Sequence, residues 1–163
     1  MVSRRVGYAR RVQPPRSLDR RMQDSLARLL RDDDAWVSTA DGRGVPHLVP
    51  LSFLWADDVM WLATASSSPT ARNLVERGRV RVALGTTRDV VMIDGTADRF
   101  AVGDVSPAVA DAFFAKVGFD PRTLSTAFAY FRVRPERIQA WRESNEISGR
   151  DLMRDGVWSI SER

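Results

Sequence analysis

The residues of this chain whose types and spacing suit chemistry form a run of hydroxyls, Thr64, Ser66, Ser67, Ser68 and Thr70, with Arg72 close behind. They sit where an apolar stretch, residues 59–65, gives way to a segment of helical character, residues 69–76. Ser68 suits an N-cap, and Pro69 suits the first helical position, where no amide hydrogen is needed. Free amides at a helix start, flanked by hydroxyls, make a ready site for phosphate or another anion. A cation at Arg72 opposes the helix dipole unless an anion sits nearby. A plainer reading uses the same residues: Ser68 only caps the helix, and Arg72 pairs with Glu76 one turn on. The local pattern leaves both open.

Other chemistries find little support. The chain has no cysteine, which excludes disulfides, zinc–thiolate sites and thiol catalysis. His47 is the only histidine, so a metal site lacks partner ligands. On a stretch alternating Val45, His47, Val49, Leu51 and Phe53 it either lines a pocket or closes the edge of the core, the second being simpler. Asp94, Asp98 and Glu143 have no spacing that implies paired-carboxylate catalysis. Gly-x-Ser-x-Gly and Gly-rich nucleotide fingerprints are missing. An enzyme built from this sequence takes its chemistry from a cofactor.

The elements that position these residues are mostly strands. Ser17 caps a helix reaching about residue 31, with Leu18, Met22, Leu26, Leu29 and Leu30 on one face. Residues 35–40 form a strand, and Asp41-Gly-Arg-Gly44 turns it into a long apolar run, residues 45–55. Ala56, Asp57 and Asp58 turn that run into residues 59–65. Pro46 and Pro50 cost the run two ladder donors, so part of it is an edge, a bulge or a ligand-facing stretch. Gly78 ends the second helix, and Val80, Val82 and Leu84 alternate on the next strand. Residues 89–100 follow, with Gly95 marking a bulge or close approach. Ser106-Pro107 opens a helix to about residue 117, and Gly118 caps it. Residues 128–133 are strand-like, broken by Pro135 and resumed over 137–142. Six or seven short, mostly antiparallel strands favour a closed or partly closed barrel.

At 163 residues, 44% of them hydrophobic, the chain suits one domain with a real core. Residues 1–16, rich in arginine, read as a flexible arm, and residues 17–163 as the folded domain. The formal charge of +4 is modest, and all but one of the 25 basic residues are arginine, so the count itself is no sign of nucleic-acid binding. No apolar run reaches membrane-spanning length, and no apolar segment follows the N-terminal arginines, so a cytoplasmic protein is expected.

Taken in order, Val37-Ser-Thr-Ala-Asp-Gly-x-Gly-x-Pro-His-x-Val-Pro-Leu-x-Phe, Leu62-Ala-Thr-Ala, Arg72-Asn-Leu and Arg79-Val-Arg-Val resemble the pyridoxamine 5′-phosphate oxidase-like family. Asp94-Gly-Thr-Ala97 and Phe131-Arg-Val-Arg-Pro-Glu-Arg-Ile-Gln-Ala-Trp141 sit where that family has its fourth and late strands. The resemblance implies a mainly β fold with a few helices, a six-stranded antiparallel split β-barrel. It also implies a homodimer with a flavin in a groove at the subunit interface. FMN is the family's usual cofactor, coenzyme F-420, a deazaflavin, the alternative, and some members bind haem-related molecules. Carried over by residue, cofactor binding falls on Val49, Pro50 and Leu51 at the ring, and on Thr64, Ser66, Ser67, Ser68, Thr70, Arg72 and Asn73 at the phosphate. Thr70 stands where many members have a phosphate-binding lysine, so the charge has to come from Arg72, Arg79 or Arg81. The Arg/His pattern that true pyridoxamine phosphate oxidases use for substrate is missing, so vitamin B6 oxidation is not expected. The implied function is a flavin-dependent oxidoreductase passing hydride or electrons to a small molecule, with Trp158 either a lid over the ring or a packing residue. A deazaflavin reductase or carrier on the same fold is the first alternative. The second is a cofactor-free module that binds a partner through its arginine arm.

Overall fold

The computed structural model describes residues 13–159. Of the arm expected over 1–16, residues 1–12 therefore lie outside the described residues. Helix α1 (Leu18–Arg31) leads into strands β1 (Asp34–Ala40), β2 (Pro46–Ala56) and β3 (Val59–Ala65). Helix α2 (Pro69–Arg77) precedes β4 (Arg79–Thr86) and β5 (Asp89–Ala101). Helix α3 (Pro107–Val117) is followed by the long β6 (Phe128–Arg142), then β7 (Asp151–Arg154) and β8 (Val157–Trp158).

All pairings are antiparallel, and the sheet order β3-β2-β1-β4-β5-β6 is closed by pairing of β3 with β6. The result is a closed six-stranded barrel, as expected; β7 and β8 continue the sheet beyond β6. Tight turns set the register. Asp57 and Asp58 both have positive φ, 52° and 57°, the geometry of a two-residue hairpin turn whose twist matches the strands. Gly44, at φ 83°, closes the β1–β2 turn, where the Asp41 carboxylate accepts from the Arg43 and Val45 amides.

The stretch read as two strands broken at Pro135 is one strand. Asp94 pairs with Arg137 and Gly95 with Pro135, so Glu136 is looped out as a bulge that absorbs the proline. Gly95 is required here, since a Cβ on it would lie 2.3 Å from the Arg134 carbonyl oxygen. Of the two alternatives expected at Gly95, the close approach is its own, while the bulged residue is Glu136 on the opposite strand.

Two helices stop the barrel's ends. Ala71 and Leu74 of α2 join one end of the core, and Leu29 of α1 the other. Within α1 the buried stripe is Arg21, Ser25 and Leu29, while Leu30 is 65% exposed. The expected leucine face was turned too far: Leu18, Met22 and Leu26 are only half-buried. A second apolar layer lies outside the barrel, where α3 covers Leu54, Trp61, Ala63 and Tyr130 with Ala110 and Phe113. This explains the unbroken apolar runs of β2 and β3: from residue 53 onward both faces are buried. The chain's own helix thus covers the outer apolar face of these two strands. Lys116, the sole lysine, fastens α3 in place, donating to the Leu29 carbonyl at 2.9 Å with its Nζ 4.0 Å over the Phe53 ring.

Residues 13–16 are tied down. The Gln13 and Pro14 carbonyls accept from Asn145 and Arg142, and Arg16 is held by the buried carboxylate of Glu146. Burial pushes the Glu146 carboxyl up, but the Arg16 side chain and the amides of Arg16 and Arg142 outweigh it and hold the group at about 2.

Candidate functional site

The hydroxyl run forms the turn between β3 and α2. Ser68 is the N-cap, with extended backbone, and its Oγ accepts from the Ala71 amide at 3.0 Å. Thr64 Oγ1 donates to Ser68 Oγ at 3.1 Å, fixing the cap from behind. The Ser66 amide bonds the Ala127 carbonyl at 2.9 Å, pinning the turn to the segment that leads into β6. The first helical turn is therefore built as expected, with Pro69 at its start and Gly78 in the left-handed conformation at its end.

Its side chains divide by direction. Thr64, Thr70 and Asn73 are buried, and the Asn73 amide donates to Thr39 Oγ1 at 3.0 Å, locking α2 to β1. Ser67 and Arg72 are exposed, and Ser66 and Ser68 half-buried. Arg72 does not pair with Glu76; its guanidinium folds back to donate to the Ser67 carbonyl. This places a cation at the helix start with one N–H used. The Ala71 amide is taken by the cap, and the Thr70 amide has no partner inside the helix. An anion arriving here meets that amide, the hydroxyls of Ser66 and Ser67, the positive end of the helix dipole and Arg72. Those residues fit a phosphate; Asn73 and Thr70 support it only from below.

The second half of the site follows from the barrel's split. Pairing of β2 with β3 runs only from Phe53 to Ala56 on β2. Beyond Phe53 both strands continue, β2 back to Pro46 and β3 on to Ala65, without pairing each other. Residues 46–52 of β2 are held by β1 alone, which leaves them one open edge. The expectation from Pro46 and Pro50 thus holds, since a strand with a free edge loses little by lacking donors there. Val49 and Leu51 turn half-buried inward, and Pro50 outward. The open edge and the start of α2 are the two lips of the split.

His47 is half-buried on that edge and pairs across to Thr39. Trp158 is half-buried and packs on the main core, with Met153 as its strand partner. Among the described residues no group of three or more His, Cys, Asp or Glu is placed to hold a metal ion. No helix among the described residues is long and apolar enough to cross a membrane. Arg79 and Arg81 do not reach the turn; Arg81 is chelated by Asp94, which holds its proton more firmly, and Arg79 meets Glu136 at 2.8 Å. Sequence reasoning missed Thr39, whose role depends on a contact 34 positions away.

Comparison with known proteins gives a consistent fold. A structure of a pyridoxamine 5′-phosphate oxidase homologue from Listeria innocua matches with TM-score 0.60 at 16% identity, covering 76% of this chain and 98% of that one. A structure described as an F420 reductase matches with TM-score 0.57 at 16% identity, over 69% of this chain and 93% of that one. A heme binding protein from Mycobacterium smegmatis matches with TM-score 0.65 at 16% identity, over 89% of this chain and 60% of that one. A search of curated proteins gives no match. The family profile described as pyridoxamine 5′-phosphate oxidase matches residues 22–142, which include β1 to β6 and both lips of the split, and the chain therefore belongs to that family.

Proposed function

We propose that this protein is a flavin-dependent oxidoreductase that binds FMN in the barrel's split. The observation that carries the reading is the pairing of a capped, hydroxyl-rich helix start with an open strand edge across the point where β2 and β3 part. When bound, the flavin supplies hydride or electron transfer, chemistry for which the chain has no side-chain machinery of its own. Ser66, Ser67, the Thr70 amide and Arg72 hold the phosphate. Thr64 and Asn73 set the turn's geometry through Ser68 and Thr39. Residues 49–51 present backbone to the ring, and the inward Val49 and Leu51 keep water from its face.

A second copy completes the groove in this reading. Trp36 and Leu48 are 53% and 58% exposed on one outer face with Pro46 and Pro50, an apolar patch that α3 does not cover. The test is a titration of FMN into the wild type and Arg72→Ala. Loss of one charge-assisted contact is expected to weaken FMN about tenfold or more. Equal affinity of the two proteins overturns the assignment of the phosphate to this turn.

Coenzyme F-420 is the second reading. Thr70 in place of a lysine lowers the charge at the phosphate position, which relaxes the demand for FMN in particular. A preference for F-420 in the same titration moves the function to deazaflavin chemistry on the same residues.

A further inference from the structure

A second concavity lies on the outer barrel wall, past the other end of α2. The Glu136 bulge and the β7–β8 hairpin build it. The bulge pushes Glu136 outward, and its carbonyl accepts from the Gly156 amide at 2.9 Å, which folds the hairpin's tip over β6. Under this overhang is a cavity of about 450 Å³ lined by Arg79, Arg81, Arg137 and Arg154 together with Asp94, Glu136 and Asp155. It runs into a neighbour of about 340 Å³, which shares Arg79, Arg81 and Asp94. That neighbour exists because β1 pairs with β4 only from Trp36 to Ser38, so residues 39–40 and 79–80 splay apart.

The arginines are held unequally. Arg81 spends its Nε and one terminal nitrogen on Asp94. Arg79 spends only Nη1, on Glu136 at 2.8 Å, and Arg137 only Nε, on Asp151 at 2.7 Å. A guanidinium has five N–H donors in a planar fork, so both keep a fork's worth of donors free at the surface of an open trough. Asp151, which holds Arg137 and Arg154, is kept at about 2 by Arg137, so the frame stays charged at neutral pH. Asp94, Glu136 and Asp155 in the lining, with Asp151 behind Arg137 and Arg154, balance the four arginines, which leaves hydrogen-bond geometry rather than net charge to select the ligand.

We propose that this trough binds a small ligand carrying two carboxylates, one taken by the fork of Arg79 and the other by that of Arg137. The register puts the two on strands separated by β5, so a two-headed acid spans them where a single-headed anion engages one. This site is separate from the turn at Ser66–Thr70 and stands whether or not the protein binds a flavin. The test is isothermal titration of the full chain with glutarate, acetate and phosphate at constant ionic strength. Saturable glutarate binding is expected, weakened at least tenfold by Arg79→Gln and by Arg137→Gln and unchanged by Arg122→Gln, whose ion pairs to Asp111 and Asp120 lie elsewhere. No saturable glutarate binding overturns the proposal. So does equal binding of acetate or phosphate, or an effect of Arg122→Gln as large as the other two. Melting curves of the exposed-arginine variants establish that a lost signal is not lost fold.

Discussion

Replacing Glu146 with glutamine removes one charge and almost no volume, at a group whose side chain has no solvent exposure. The carboxylate accepts from the Arg16 amide at 2.7 Å, the Arg142 amide at 2.6 Å, and Arg16 Nη2 at 2.8 Å. Glutamine offers an NH2 where one of these donors now points, and leaves Arg16 leaning on Asp24 and Asp89 alone, each at 3.0 Å. The carboxyl stands at about 2 in the fold against an ordinary value of 4.5. At 1.36 kcal/mol per unit, that difference corresponds to about 3 kcal/mol of stability. Because the folded value is the lower one, this stability is fully present above the ordinary value and is lost as pH falls toward 2. By the same linkage, a little under half of the about 3 kcal/mol remains by about pH 3. Urea unfolding followed by tryptophan fluorescence reads it directly. Glu146→Gln is expected to lower stability by about 3 kcal/mol at neutral pH, with the gap from wild type shrinking by about half or more at about pH 3. A gap below about 0.5 kcal/mol at neutral pH, or one that stays constant with pH, refutes the reasoning.

Three further outcomes follow from the same geometry. Gly95→Ala forces a methyl to within 2.3 Å of the Arg134 carbonyl oxygen and should cost at least about 2 kcal/mol in urea unfolding, against near-neutrality for Gly103→Ala, where a Cβ meets nothing within 4 Å. Asn73→Ala strips Thr39 of a buried partner and loosens α2 from β1; a loss of about 1–2 kcal/mol is expected, together with weaker FMN binding that follows from the displaced turn. Leu48→Asp puts a charge on the exposed apolar face assigned to the proposed second copy without touching the core, so sedimentation is expected to show a dimeric wild type and a monomeric variant with the melting of the barrel retained.

Much of this fold is legible along the chain because its turns are chemically explicit. Asp41 to Gly44, Asp57-Asp58 and Gly78 each fix a backbone geometry from local residue types, and the antiparallel meander follows from them. The cap at Ser68 is of the same kind. What local reading missed depends on distant partners. The buried face of α1 departs from its leucine periodicity because Arg21 is buried with a bond to the Glu146 carbonyl, a contact spanning 125 positions, so an arginine occupies a place that periodicity gives to a leucine. Residues 13–16 read as arm for the same reason, since Arg16 has its carboxylate 130 positions away. Pro135 reads locally as a strand break because the bulge that absorbs it needs Gly95 on another strand. At the candidate site, the hydroxyl run and its helix were visible in sequence, but the inward use of Thr64 and Asn73, and the folding of Arg72 onto Ser67 rather than Glu76, were not. Those depend on which way a side chain faces once β1 lies beneath the helix.

The split between β2 and the start of α2 is the proposed seat of a flavin's phosphate and ring. The most direct measurement is the absorbance spectrum of the freshly purified protein, followed by addition of FMN and of F-420 to the same sample. Flavin absorption as purified, or saturation at one FMN or one F-420 per chain, is the predicted result. A colourless protein that saturates with neither, or one that carries a haem spectrum instead, contradicts it.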